Sequence, residues 1–77
     1  MIYPLCILSP GQRGKVCKIK LCGAMRRRLF DIGLTPGTEV ECVLKPVSGE
    51  PTAYRIRGSL MALRFEDASQ IYVQILS

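Results

Sequence analysis

One segment near the middle of the chain predicts a short helix, an abrupt stop and a following strand. Met25, Leu29 and Ile32 are spaced at i, i+4 and i+7, which places them on one narrow apolar stripe of a helix. Gly33 can adopt the left-handed conformation that ends a helix, and Pro36 cannot continue one. We therefore expect a single short helix whose remaining surface faces water.

Apolar and charged residues alternate on both sides of that helix, which predicts half-buried strands. The residues that the alternation directs inward are Cys17, Ile19, Leu21, Val40, Cys42, Leu44, Tyr54 and Ile56. Further strands are expected at 60–64 and 71–75, separated by a single helical turn that begins at Phe65. Gly58 allows a sharp corner before them, and both Tyr54 and Phe65 are expected in the core.

The length of the chain limits the size of its core. With 77 residues there is room for one domain, spanning 1–77. Such a chain buries roughly 60% of the surface that its unfolded form exposes, so a deep active-site cleft is not expected. About five short strands around one helix most naturally curl into a compact barrel, because a small open sheet leaves its edges exposed. The expected fold class is all-β with one short inserted helix.

The net charge of the chain is positive. Eleven Lys and Arg against six Asp and Glu give +5, which favours acidic partners such as nucleic acid, anionic lipid headgroups or an acidic protein face. The first residues lack the basic region and the apolar run of a secretory signal. No window approaches the ~20 apolar residues of a membrane-spanning helix. We therefore expect a cytoplasmic protein that reaches a membrane only peripherally or through a partner.

The residue types argue against catalysis and against a tight metal site. The chain has no histidine, which is the commonest general base and the commonest nitrogen ligand of metals. None of its four cysteines forms a Cys-x-x-Cys knuckle, so we expect reduced cysteines that act as small hydrophobic residues, no enzymatic activity and no required cofactor. Soft thiolates leave one alternative, a metal-binding module in which Cys17, Cys22 and Cys42 hold Fe(II) or Zn(II).

Arg26, Arg27 and Arg28 form the densest charge cluster of the sequence. On a helix they fan around more than half a turn and can grip phosphate or carboxylate groups, although a solvated surface explains them equally well. A basic barrel that binds RNA or DNA is a further alternative. Such binding uses aromatic platforms among the basic residues, and the sequence shows no continuous surface of that kind.

Three stretches carry a family resemblance. The first is Leu5-x-x-Leu8-x-x-Gly11-x-x-Gly14-x-Val16. The second is Arg27-Arg28-Leu29-x-Asp31-Ile32-Gly33-Leu34-x-x-Gly37-Thr38-Glu39-Val40. The third is Gly58-Ser59-Leu60-Met61-Ala62-Leu63-Arg64-x-x-Asp67-Ala68-x-x-Ile71. In this order and at these spacings they resemble the FeoA family, small cytoplasmic proteins of bacterial ferrous iron transport, over nearly the whole chain.

The resemblance implies an SH3-like β-barrel with an inserted helix. It also implies a role beside FeoB, the ferrous iron permease whose cytoplasmic part includes a G-protein domain, and it implies no fixed set of cysteine ligands. We therefore predict an accessory or regulatory protein that docks on the cytoplasmic domain of FeoB. The expected docking residues are Arg26, Arg27, Arg28, Leu34, Thr35 and Thr38. Self-association through the apolar residues 2–8 is left open.

Overall fold

The computed structural model describes residues 1–76, which form one antiparallel sheet with two helices. In chain order the elements are β1 (Ile2–Pro4), a 3₁₀ turn (Leu5–Ile7), β2 (Arg13–Ile19), α1 (Gly23–Asp31), β3 (Glu39–Leu44), β4 (Thr52–Ile56), β5 (Ser59–Leu63), α2 (Phe65–Ala68) and β6 (Ile71–Ile75). Neither helix in this part of the chain has the length and apolar character needed to cross a lipid bilayer.

The six strands are arranged in the order β1-β6-β2-β3-β4-β5. The consecutive strands β3, β4 and β5 pair as hairpins, whereas β6 returns to lie between β1 and β2. The molecule measures 29 × 24 × 22 Å, nearly equal in all directions, because the sheet curls around its own inner face. Among residues 1–76 no ladder joins β5 to β1, so the sheet curls without closing. The predicted all-β class is confirmed, and the short edge strand β1 brings the strand count to six.

A single hydrophobic core fills the inside of the curl. Its buried apolar residues are Leu5, Leu8, Val16, Leu21, Leu29, Leu34, Val40, Cys42, Tyr54, Ile56, Leu63, Ala68, Ile71 and Val73. The expected inward positions of Tyr54 and Ile56 on β4 are confirmed, because regular pleating keeps alternate side chains on one face. Val40 and Cys42 on β3 point inward for the same reason.

Two bulges change the alternation that the sequence predicts. The ladder between β2 and β6 shifts between Val16 and Lys18, which leaves Cys17 as an extra, exposed residue. The ladder between β3 and β4 shifts between Cys42 and Leu44, and Leu44 is 62% exposed. The prediction that Cys17 and Leu44 point inward is therefore wrong, because an inserted residue moves the following side chains to the other face of the sheet.

The short helix α2 forms at the predicted place but packs through a different residue. Phe65 begins the helix and its side chain is 62% exposed, whereas Ala68 is 1% exposed. The backbone N–H of Phe65 donates a hydrogen bond to Oε2 of Glu50 at 2.8 Å. Because the small Ala68 anchors this turn, Phe65 projects into solvent, and the expectation that it lies in the core is wrong.

Candidate partner-binding surface

Helix α1 attaches to the rest of the protein along one side only. Leu29 is 1% exposed, and Met25 and Ile32 pack partly buried against the core, so the predicted apolar stripe is confirmed. At the start of the helix Cys22 occupies the N-cap position and makes no side-chain capping bond. With a single fully buried residue, the helix presents most of its circumference to solvent.

The end of α1 has the geometry that its sequence predicts. Gly33 has φ +102°, in the left-handed region where a residue with a Cβ is strained. The N–H of Leu34 donates to the carbonyl of Leu29 at 2.9 Å, and the N–H of Gly33 donates to the carbonyl of Phe30 at 3.0 Å. These two bonds form a Schellman motif, which satisfies carbonyls that the helix leaves without intrahelical partners.

The turn after the helix is held by hydrogen bonds to the carbonyl of Gly33 and to the hydroxyl of Thr38. The carbonyl of Gly33 accepts hydrogen bonds from the Thr38 hydroxyl at 2.9 Å and from Nε of Arg57 at 3.0 Å. The N–H of Thr35 donates to the Thr38 hydroxyl at 3.2 Å. The sequence had suggested that Leu34 and Thr38 belong to an exposed docking surface. They are only 1% and 3% exposed, so they stabilise the turn and are not accessible to a partner. Thr35 is half-buried.

The three arginines of α1 point in different directions. Arg26 donates from one guanidinium nitrogen to the carbonyls of Ile19 and Leu21, at 3.3 and 3.4 Å, and so ties the helix to the end of β2. At 100° per residue, Arg27 lies roughly opposite the buried stripe and Arg28 lies on its flank. All three are exposed, but the structure does not gather them into one cationic cluster.

An exposed phenylalanine lies beside Arg27 on the solvent side of α1. Phe30 is 62% exposed, and it lines an open depression on this side of the helix together with Gly23, Ala24, Arg26, Arg27 and Asp31. Leaving out Gly23, which has no side chain, and Arg26, which bonds the carbonyls of Ile19 and Leu21, we call the other four residues the outer helix face. Phe30 was not among the contact residues predicted from the sequence, although a large apolar residue outside the i, i+4, i+7 stripe is a signal that could have identified it.

The three cysteines of the metal alternative do not come together. Among residues 1–76 there is no group of three or more Cys, Asp or Glu side chains placed to hold a metal ion. Cys17 is exposed at the β2 bulge, Cys22 is exposed before α1, and Cys42 is buried in the core. Burial raises the pKa of the Cys42 thiol, which favours the neutral form over the thiolate that metals bind. The predicted set of Cys17, Cys22 and Cys42 is therefore not formed.

Solved structures of FeoA proteins share this fold. The solution structure of the FeoA protein from Chlorobium tepidum is 32% identical and superposes with a TM-score of 0.90, over 97% of this chain and 71% of that chain. FeoA of Stenotrophomonas maltophilia, complexed with zinc and described as a prokaryotic SH3 domain protein, is 31% identical with a TM-score of 0.77. That alignment covers 96% of this chain and 89% of that chain. The SH3-like architecture implied by the sequence resemblance is confirmed.

A longer protein contains a segment similar to this chain. The Fe(2+) transport protein A/Fe(2+) transporter FeoB fusion protein of Porphyromonas gingivalis is 29% identical over 70 residues. The match covers 91% of this chain but only 8% of the fusion protein. The model of the FeoA domain matches residues 3–75. The chain therefore belongs to the FeoA family, which is linked to ferrous iron transport.

Proposed function

We propose that this chain is a cytoplasmic accessory protein that docks on the cytoplasmic domain of a FeoB-type ferrous iron permease. The observation that carries the proposal is the fusion relative, in which a segment matching 91% of this chain belongs to the same polypeptide as FeoB. Fusion keeps two modules at a high effective concentration. Such an arrangement supports a direct contact between the modules, and separate chains need a surface that replaces the covalent link.

The outer helix face is our choice for that surface. Aromatic residues and arginine are the types that most often dominate the binding energy of protein interfaces. Phe30 is 62% exposed and can fill an apolar pocket on a partner, while Arg27 offers a planar fork for a carboxylate beside it. Arg26 is engaged with the backbone of β2, so we assign its guanidinium to the internal structure and not to this contact.

A small docking protein regulates its partner by binding one conformation better than another. The outer helix face lies on a short helix that is anchored by Leu29 and closed by the Schellman motif at Gly33. This anchoring presents Phe30 and Arg27 in a defined orientation, which lowers the entropy lost on binding. The shift in the permease is limited by the difference in affinity between its conformations, so regulation and binding depend on the same residues.

The test is a calorimetric titration of the full chain into the purified cytoplasmic domain of the cognate FeoB. We expect F30A and R27E each to weaken binding at least about 30-fold, the effect of losing a dominant interface residue. F65A and R64E are matched controls, because Phe65 is also 62% exposed and Arg64 is also exposed, and both lie at the start of α2, outside the outer helix face. Circular dichroism should show all four variants folded.

Two results would contradict parts of this proposal. If neither the domain nor the full-length permease binds the chain at any salt concentration, the docking function is wrong. If F30A and R27E bind as tightly as F65A and R64E, docking uses another surface and the assignment of the outer helix face is wrong.

A further inference from the structure

The outer face of the sheet divides into two halves with different charge. On β2, β3 and β4 two cations are paired: Arg13 bonds Glu39 at 2.6 Å, and Arg55 bonds Glu41 at 3.0 Å. These are the two ion pairs found among residues 1–76. Lys15 lies opposite Glu39 in the ladder, is exposed and belongs to neither pair. Because each cation of these pairs already has a carboxylate neighbour, the four paired residues offer little net charge to a partner.

The other half of that face is basic. The ladder between β2 and β3 spans Arg13 to Lys15, and the bulge at Cys17 follows it. Lys18 and Lys20 therefore lie beyond the reach of the β3 carboxylates, opposite β6, and take part in neither ion pair of the described residues. Both lysines are exposed.

An aliphatic side chain and a tyrosine lie beside these lysines. Ile2, Lys18, Lys20 and Tyr72 line one shallow depression of about 200 Å³, and we call these four residues the lysine patch. Ile2 is 55% exposed, and Nζ of Lys20 lies 5.4 Å from the centre of the Tyr72 ring. The guanidinium of Arg26 bonds the carbonyls of Ile19 and Leu21, on either side of Lys20 in the chain, but it does not line the patch.

From this arrangement we propose that the lysine patch binds the surface of an anionic lipid bilayer. Lysine ammonium groups next to an exposed aliphatic residue fit such a surface, because the charges meet the headgroups while Ile2 enters the boundary of the acyl chains. The inference extends the proposed function: docking on a permease holds the chain near a membrane, where a weak lipid contact and a protein contact reinforce each other.

The details of the patch favour lipid over nucleic acid. A protein that binds single-stranded nucleic acid needs open aromatic faces on which bases stack. The Tyr72 side chain is half-buried, and Nζ of Lys20 lies over its ring, so a base would have to displace the lysine to stack there. A phosphate backbone offers no apolar surface against which the exposed side chain of Ile2 could be buried, whereas the hydrocarbon region of a bilayer does.

The test measures flotation of the full chain with vesicles. One set contains phosphatidylcholine alone and the other contains equal parts of phosphatidylcholine and phosphatidylglycerol. We expect binding to the anionic set at low salt, weakened at high salt by screening. Because each lysine near an anionic surface contributes about fivefold to partitioning, K18Q/K20Q should bind about 30-fold more weakly. The control R55Q/R64Q removes the same charge from exposed sites outside the patch and should bind nearly as the wild type does.

Four outcomes would overturn the proposal. The first two are no binding to the anionic vesicles at low salt, and equal binding to vesicles of phosphatidylcholine alone. The third is a loss of vesicle binding in R55Q/R64Q as large as the loss in K18Q/K20Q. The fourth is that the chain binds an oligonucleotide but no vesicles, and that K18Q/K20Q loses the binding to the oligonucleotide. The two proposals fail separately. F30A should bind the permease domain more weakly and bind the vesicles as the wild type does. If the wild-type chain binds vesicles but not the permease, only the proposed function is contradicted.

Discussion

Replacing Gly33 by Ala should destabilise the protein by a predictable amount. At φ +102° an alanine is strained by about 1–2 kcal/mol. The added Cβ would lie 2.5 Å from Cδ of Arg57, so the arginine side chain must move and give up its 3.0 Å bond to the Gly33 carbonyl. That bond contributes about 1 kcal/mol. The expected total of about 2–3 kcal/mol is a large share of the roughly 4–12 kcal/mol that a chain of this size has available.

The assay is urea unfolding followed by circular dichroism, with an unchanged m-value as evidence that the denatured state is unaltered. The matched control is G49A, because Gly49 has φ +94° and an added Cβ there meets no atom within 4 Å. G49A should therefore lower the free energy of unfolding only by the cost of placing an alanine at a positive φ, about 1–2 kcal/mol. In thermal melts, G33A should lower Tm by roughly 10–20 °C.

The comparison between these two glycines decides whether the contact with Arg57 matters. If G33A and G49A are equally destabilised, the bond from Arg57 to the helix end contributes nothing and the reasoning is refuted. The double variant G33A/R57A gives an independent check. Its loss should be smaller than the sum of the two single losses, because both remove the same bond.

Two further predictions concern the helix and the buried thiol. L29A should lose about 2–5 kcal/mol in the same assay, because Leu29 is 1% exposed, while F30A on the same helix should stay within about 0.5 kcal/mol. Burial raises the pKa of Cys42 above its ordinary value of 9.0, so above that pH the unfolded chain loses the thiol proton before the folded chain does. The free energy of unfolding should thus fall as pH rises from about 9 toward the folded pKa, less steeply in C42A; equal slopes would contradict this.

Local backbone chemistry explains what could be predicted about the helix. The left-handed Gly33 and the apolar Leu34 specify a Schellman end within a few residues, and both capping bonds are present. The directions of the arginines could not be predicted in this way. Arg26 bonds carbonyls of Ile19 and Leu21, and those acceptors face the helix only because β2 ends beside it.

The strands show the same division. Alternation correctly placed Tyr54 and Ile56 in the core, because β4 is paired without interruption through these positions. Cys17 and Leu44 were misplaced, because each lies at a register shift. A bulge depends on how two distant strands curve around a common core, and the residues beside it carry no local signal of it.

By itself, the sequence determined the all-β class, the single helix with its stop, and an excess of positive charge. These follow from hydrophobic period, from the conformations open to glycine and proline, and from composition. The tertiary structure alone decided that Cys17, Cys22 and Cys42 stay apart, and which cations are paired. Arg13 and Arg55 meet carboxylates across the sheet while Lys18 and Lys20 do not. The physical reason is that a charge or thiol acquires a partner through strand register and curvature, which bring together residues far apart in the chain.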